Sequence, residues 1–186
     1  YILLIRLNQN MEITILGTSA SIPTKDRNVA GIFVRYKNDG ILFDCGEGTQ
    51  RQMNIAEIKR TSVNKIFITH FHADHVAGLI GLFQTVGNES QGKQKIDLFG
   101  PVGTKERIGH LFEMTVYEMK FELNIYEVTA NKKEKIHETE DYEIYALKMP
   151  HSTPCIGYSM IEKQKRSINM LKLKKLGIPE GPHLQD

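Results

Sequence analysis

The sequence has little cysteine, no long apolar run and almost no net charge. Its two cysteines, Cys45 and Cys155, are too few for a disulfide framework, which predicts a reducing, cytoplasmic compartment. No apolar stretch approaches the length of a membrane span, so no membrane partner is predicted. The apolar residues 2–5 are too short to be the core of a signal peptide. The net charge of +2 argues against a uniformly basic, nucleic-acid-binding surface.

The composition is typical of one α/β domain. The 186 residues are 40% apolar and 25% charged, which suits a single domain with its own core. Neither an internal repeat nor a linker divides the chain. Apolar runs predict eight strands, at residues 11–16, 32–36, 41–43, 66–69, 96–99, 123–128, 142–148 and 156–161. Helical spacing predicts helices at residues 47–58, 76–86 and 104–119. Polar composition predicts loops at residues 87–95 and 131–135.

Metal-type ligands are concentrated in one short run, THFHADH at residues 69–75. Imidazole nitrogen and carboxylate oxygen, here from His70, His72, Asp74 and His75, both suit a borderline ion such as zinc. The run follows a predicted strand and precedes a predicted helix, so it occupies a loop that can hold side chains while leaving a coordination position open. The alternative is a polar loop that is merely rich in histidine. The order and the place of the four ligands favour a metal site.

The pattern His70-x-His72-x-Asp74-His75 resembles the signature of the metallo-β-lactamase superfamily. This resemblance implies the α/β class and a four-layer α/β/β/α sandwich with a metal site between its two sheets. Members of the superfamily include lactam hydrolases, thioesterases, phosphodiesterases and nucleases. The fold alone therefore leaves the substrate open.

Further segments resemble ribonuclease Z, the endonuclease family that removes the 3′ trailer of precursor tRNA and leaves a 3′-hydroxyl on the tRNA. They occur in the family's order, at residues 16–28, 43–52, 150–158 and 176–182. The resemblance implies two Zn²⁺ ions per subunit, one held by His70, His72 and His151 and the other by Asp74 and His75. It also implies that Asp74 accepts a proton during hydrolysis.

The resemblance also assigns RNA-binding residues. Lys25 and Arg27 match the family loop near the RNA 3′ end, and the basic run that contains Lys172, Lys174 and Lys175 leads into the Gly-Pro segment of the family's protruding arm. Without the resemblance, such residues are usually a solvated surface pair and a solvated helix face. In the family a homodimer lets the arm of one subunit hold RNA that the other subunit cuts.

The domain organisation that follows has three parts. Residues 11–162 are predicted to form the metallo-β-lactamase-like domain, 163–186 the start of the arm, and 1–10 an extension of unknown role. Family members carry, beyond the arm, a bridging aspartate, a His-Ser-Thr-type segment and a last zinc histidine, and none has a candidate before Asp186. The second half of the sandwich is therefore expected to be incomplete, and this chain is expected to be inactive alone.

Two other functions compete with this one. The first is a metallo-β-lactamase-fold phosphodiesterase that acts on a small molecule, and the second is a non-catalytic RNA-binding subunit.

One residue also has two interpretations, since Asp44 can belong to a plain turn or can orient a ligand histidine, as metal sites usually require. His110 and His137 have no metal-site context and are predicted to be surface or structural histidines.

Overall fold

A computed structural model of the protein describes residues 2–7, 10–116, 118–163 and 174–177. These residues form a seven-stranded and a three-stranded sheet. The large sheet contains, in spatial as well as chain order, β1 (Leu3–Arg6), β2 (Met11–Gly17), β3 (Gly31–Tyr36), β4 (Asp39–Phe43), β5 (Val63–Phe67), β6 (Lys95–Pro101) and β7 (Glu122–Val128). The small sheet has the order β10 (Ile156–Glu162), β9 (Tyr142–Lys148) and β8 (Glu134–Glu138).

The direction of the strands determines where the loops gather. Strands β1 to β4 are antiparallel neighbours, whereas β4 to β7 run parallel. Parallel neighbours need crossovers, here supplied by α1 (Thr49–Ile55), α2 (Ala73–Val76), α3 (Leu79–Ser90) and α4 (Thr104–Glu113). Ligands of such sheets bind at the carboxyl ends of the strands, so the loops after β4 and β5 lie where a site is expected. Within the described ranges, no helix is long and apolar enough to cross a membrane.

Side chains of the large sheet alternate between two buried cores. On β4, Leu42 packs towards the helices while Ile41 packs towards the small sheet, and Ile66 and Phe67 on β5 divide in the same way. Burial of both faces explains why the central strands are nearly continuous apolar runs. The resulting layers are helices, large sheet and small sheet. The outer helical layer expected over the small sheet has no counterpart among the described residues.

An aromatic cluster joins the two sheets beneath the predicted site. The Phe67 ring lies 4.7 Å from that of Phe99 and 5.3 Å from that of Tyr158, measured between centroids. The Tyr158 hydroxyl donates to the Ile68 carbonyl at 2.9 Å, just before the histidine-rich loop begins. Burial raises the pKa of Tyr158, so its hydroxyl stays protonated as a donor. These contacts hold the start of that loop against the small sheet.

A polar network lies at the other end of β4, away from the histidine-rich loop. The Asp39 carboxylate accepts from Lys65 Nζ at 2.8 Å, Asn64 Nδ2 at 2.9 Å and Tyr142 Oη at 2.6 Å. Burial alone would raise the pKa of Asp39, but the bonds from Lys65 and Tyr142 outweigh it and lower that pKa. The carboxylate is therefore fully compensated and connects the two sheets through Tyr142.

The structure contains all eight predicted strands and two more. Strand β1 lies in the segment to which no role is assigned, and it pairs with β2 from Leu3↔Ile15 to Arg6↔Glu12. Strand β8 begins at Glu134, so the predicted loop at 131–135 was wrong in its last two residues. Both strands carry charged or exposed side chains, and each forms by pairing with a neighbouring strand. Apolar periodicity does not detect strands that form in this way.

The predicted helices were right in place but wrong in length. Helix α4 ends at Glu113 rather than at residue 119. Helix α3 continues to Ser90 and β6 begins at Lys95, so the predicted loop at 87–95 was wrong at both of its ends. The helical segment predicted at 76–86 is divided at Gly78, between α2 and α3. A Cβ on Gly78 would lie 2.2 Å from the Gly46 carbonyl oxygen, so only glycine permits this close approach of the loop after β4.

His137 on β8 gives a pH-dependence prediction. Its ring lies 5.6 Å from that of Phe99, and its Nε2 has no hydrogen-bond partner among the residues that the structure describes. Burial, followed by the nearby Lys65 charge, lowers the pKa of His137. The unfolded chain then binds the proton more tightly than the folded one, so the free energy of unfolding should fall as the pH drops through about 6.5. We expect His137→Leu to flatten this part of the stability profile, measured by denaturant titration between pH 7 and 5. An unchanged slope in the variant would contradict the assignment.

Candidate metal centre

The segment that follows β5, a loop and then α2, carries four of the five predicted ligands. Strand β5 ends at Phe67, His72 is the N-cap of α2, and Asp74 and His75 lie within that helix. The fifth, His151, lies in the loop between β9 and β10, and the bond from Ile156 N to Thr69 O, 2.9 Å long, joins the two loops. The predicted strand-to-helix position of the cluster is therefore observed.

Three imidazoles from these two loops converge. The ligand nitrogens of His70, His72 and His151 all lie within 4.8 Å of one another. His72 Nδ1 is 3.1 Å from His70 Nε2 and 3.4 Å from His151 Nε2. Two nitrogens that bind one zinc at about 2.0 to 2.1 Å in a tetrahedral arrangement are separated by about 3.3 Å. The cluster thus fits a single zinc ion, whose charge would also compensate the repulsion between converging lone pairs.

Asp74 and His75 form a second group beside the first. Asp74 Oδ2 lies 3.5 Å from His75 Nε2, and the His75 ring centroid is 4.0 Å from that of His70. Asp74 Oδ2 also accepts from the Ser21 backbone N–H at 2.7 Å. A nitrogen and a carboxylate oxygen are therefore presented side by side, as a second ion next to the imidazole cluster would require.

Asp44 orients the histidines from beneath. Its carboxylate accepts from Thr69 N and from Thr69 Oγ1, both at 2.8 Å, and from His75 Nδ1 at 2.7 Å. Because the single Thr69 hydroxyl proton goes to Asp44, Thr69 Oγ1 accepts from His70 Nδ1 at 3.0 Å. The protonated Nδ1 atoms leave Nε2 of both His70 and His75 free to bind a metal. Of the two interpretations of Asp44, the structure supports the orienting one.

The electrostatics of the site suit metal ligands. Burial, reinforced by the neighbouring imidazoles, lowers the pKa of His70 to about 4, so this ring is neutral at pH 7. Burial opposes ionisation of Asp74, yet the Ser21 N–H and the nearby imidazoles lower its pKa, so the carboxylate is charged. Burial also opposes protonation of His75, but the Asp44 carboxylate outweighs it and raises the pKa of His75. A bound cation would have to displace that proton.

The predicted RNA-binding residues divide into two groups. Lys25 and Arg27 both line one concave surface. Thr24, three residues after Ser21, lines it as well. Lys174 and Lys175 are exposed in a short helical stretch, and Lys172 lies outside the described residues, as does most of the Gly-Pro segment. Lys25 and Arg27 thus belong to the same loop as Ser21, whose backbone N–H donates to Asp74.

Two contacts of the site were not predicted from the sequence. The Arg107 guanidinium lies 5.3 Å from the centroid of the Phe71 ring. In the sequence, Phe71 lies between His70 and His72. The Ser21 N–H reaches Asp74 across 53 residues of chain. No local pattern signals either contact, because each depends on where separate loops meet.

Comparison with known proteins gives one family match and many relatives. Residues 11–168 match the family model described as Anti-Pycsar protein Apyc1. The chain is 39% identical over 175 residues to a ribonuclease Z of Methanococcus aeolicus and 36% identical over 177 residues to that of Pyrococcus horikoshii. These alignments cover 94% and 95% of this chain but 54% and 56% of the relatives. The chain thus spans about half the length of the curated relatives it matches.

Solved structures agree with this placement. The short form of human tRNase Z (ELAC1) superposes with a TM-score of 0.74 at 33% identity, covering 81% of this chain and 64% of that one. Zn²⁺-bound PqqB from Methylobacterium extorquens has a TM-score of 0.59 at 15% identity, covering 87% and 68%, and shares the fold. The fold and the histidine cluster together indicate a metal-binding site. The chain therefore belongs to the family that the Apyc1 model describes, and it has the metallo-β-lactamase fold.

Proposed function

We propose that this chain is the metal-binding part of a zinc-dependent endoribonuclease that removes the 3′ trailer from precursor tRNA and leaves a 3′-hydroxyl. The observation that carries the proposal is the convergence of His70, His72 and His151, whose nitrogens lie within 4.8 Å of one another. Relatives such as that of Methanococcus aeolicus, at 39% identity, are named ribonuclease Z, which favours RNA over a small phosphodiester as the substrate.

The ligand assignment follows the two groups of side chains. His70, His72 and His151 would hold one zinc ion, and Asp74 with His75 would hold the second. When bound, two such ions would supply Lewis-acid stabilisation of the phosphate charge and would lower the pKa of a bound water. Asp44 keeps the protons of His70 and His75 on Nδ1, so each Nε2 faces the site. Asp74, ionised and held by Ser21, is the proton acceptor at its carboxylate.

The second group supplies too few ligands by itself. Catalytic zinc sites usually have three protein ligands and one water, which the imidazole cluster satisfies and the pair of Asp74 and His75 does not. We therefore propose that the second ion needs ligands in addition to Asp74 and His75 and that residues 1–186 alone are a poor nuclease. The test compares their trailer-cutting rate and zinc content with those of the complete natural protein. Equal rates with two zinc ions per chain would contradict the proposal.

The decisive experiment is a gel assay of the complete natural protein with precursor tRNA. The proposal expects one cut at the base of the trailer, a 3′-hydroxyl product and loss of cutting after chelation, with recovery on adding zinc. Binding without cutting would favour a non-catalytic RNA-binding subunit. Hydrolysis of a small phosphodiester with neither binding nor cutting of RNA would favour the small-molecule phosphodiesterase.

The arm leads to a separate prediction. Replacing Lys172, Lys174 and Lys175 together by alanine should weaken binding of precursor tRNA and reduce its salt dependence, because cations that contact phosphates release counterions. Hydrolysis of bis(p-nitrophenyl) phosphate should stay nearly unchanged, since this small substrate does not reach an arm. Equal losses on both substrates would contradict an RNA-binding arm. The homodimer and the cytoplasmic location stay predictions.

A further inference from the structure

A third basic side chain accompanies Lys25 and Arg27 on the same concave surface. Arg51, on the first turn of α1, lines with them a cavity of about 410 Å³. That volume falls in the range of small-ligand sites, about 300 to 1,000 Å³. The remaining lining residues are mostly polar and comprise Ile2, Thr24, Asp26, Asn28, Gln52 and Ile55. We call this concavity the basic pocket.

A tight turn presents two of the cations. Thr24 Oγ1 accepts from Arg27 N at 2.9 Å and from Asp26 N at 3.3 Å, and Thr24 N donates to Arg27 O at 2.8 Å. A threonine that bonds to the backbone in this way replaces ordinary turn hydrogen bonds. Lys25 and Arg27 are therefore held on one short turn, with their side chains lining the pocket.

The segment before α1 brings Arg51 to the same place. Asn28 Nδ2 donates to the Glu47 carbonyl at 2.8 Å, which joins the turn to the residues that precede the helix. Gly48 adopts a φ of 72°, and a Cβ there would lie 2.9 Å from Asn28 Oδ1. Glycine favours this left-handed backbone conformation, and the approach of the two segments places Arg51 beside the turn.

The three cations of the basic pocket are not paired with carboxylates in the way that Arg60 and Lys65 are. Among the described residues, Lys25, Arg27 and Arg51 have no ion-pair or side-chain hydrogen-bond partner. Elsewhere Arg60 and Lys65 contact carboxylates at 2.6 and 2.8 Å. One carboxylate, Asp26, lines the pocket with three cations, which leaves a net positive concavity. Such a surface attracts anions.

We propose that Arg51 joins Lys25 and Arg27 in a phosphate-binding subsite, which takes a backbone phosphate of the RNA strand that enters the metal centre. This inference rests on the proposed function. The loop that ends in the basic pocket also donates the Ser21 N–H to Asp74 at 2.7 Å, so pocket and centre share one support. The planar guanidinium of Arg51 can bind phosphate with two parallel hydrogen bonds, whereas Lys25 acts as a point charge.

The test uses Arg51→Ala in the complete natural protein, with Lys93→Ala as the control at an exposed position in the loop after α3. For Arg51→Ala we expect the Kd for precursor tRNA to rise about tenfold and its salt slope to fall by about 1. Arg51→Lys should keep the slope but recover only part of the affinity. Lys93→Ala should bind precursor tRNA as the wild type does and hydrolyse bis(p-nitrophenyl) phosphate within about twofold of the wild-type rate. Arg51→Ala should lose far more on precursor tRNA than on this small substrate.

A wild-type Kd and slope for Arg51→Ala would overturn the subsite. So would a proportional loss on the small substrate, because that pattern means a structural role. Titration of the wild type with inorganic phosphate, followed by NMR of the backbone amides of residues 24–28, separates this failure from that of the proposed function. Shifts that disappear in Arg51→Ala support the subsite even if no RNA is cut. Amides that do not respond overturn it even if RNA is cut.

Discussion

Replacement of His72 by alanine should remove the metal from the imidazole cluster and abolish RNA cutting. His72 Nδ1 is the atom that both His70 Nε2 and His151 Nε2 approach, at 3.1 and 3.4 Å. Its loss leaves two imidazoles, fewer than the three protein ligands of catalytic zinc sites. We expect the loss of activity to exceed the factor of about 10 to 100 typical of losing a residue that only orients a ligand.

The measurements are zinc content by elemental analysis and trailer cutting by the complete natural protein. His110→Ala is the matched control, because His110 is an exposed histidine near the end of α4. His110→Ala should keep both metal and activity. A His72→Ala protein that retained its full zinc content and cut RNA at the wild-type rate would remove His72 from the site. Since His72 is exposed, the fold should tolerate its loss, and circular dichroism should show an unchanged spectrum.

Replacement of Asp44 by alanine should destabilise the fold and weaken metal binding together. The residue is 6% exposed, and removal of its carboxylate leaves the Thr69 N–H and His75 Nδ1–H without their acceptor. Removing one partner of a buried charged network lowers the free energy of unfolding by about 3 to 5 kcal/mol. The histidines also lose the bonds that fix their tautomers, so metal affinity should fall about 10- to 100-fold.

Asp44→Asn separates the carboxylate from the backbone. Asp44 adopts a φ of 56°, which asparagine tolerates far better than alanine does. The asparagine variant should therefore lose less stability than Asp44→Ala while still losing metal affinity, because one amide oxygen cannot replace both carboxylate oxygens. Glu118→Ala, at an exposed position, is the control for the loss of an acidic side chain. Metal affinity that survived in Asp44→Asn would assign Asp44 to the turn alone.

Sequence patterns predicted the central strands well and the marginal elements poorly. Strands such as β4 and β5 are buried on both faces, so their apolar runs are visible in the sequence. Strand β8 was missed because pairing with β9, rather than its charged composition, makes it a strand. Strand β1 is a short run of mostly apolar but exposed residues, and pairing with β2 makes it a strand. The early end of α4 was missed as well, since a helix end depends on local capping that apolar spacing does not report.

The sequence by itself determined the ligand types and their order, because the histidines and aspartate of residues 70–75 are adjacent in the chain and follow a recognisable strand. It also carried the resemblance that the relatives confirmed. Only the tertiary structure decided which nitrogens converge, that Asp44 controls the tautomers, and that Arg51 lies beside Lys25 and Arg27. These relations join residues that are up to 81 positions apart, such as His70 and His151. Their distances depend on how the two sheets and their loops pack, which no local pattern encodes.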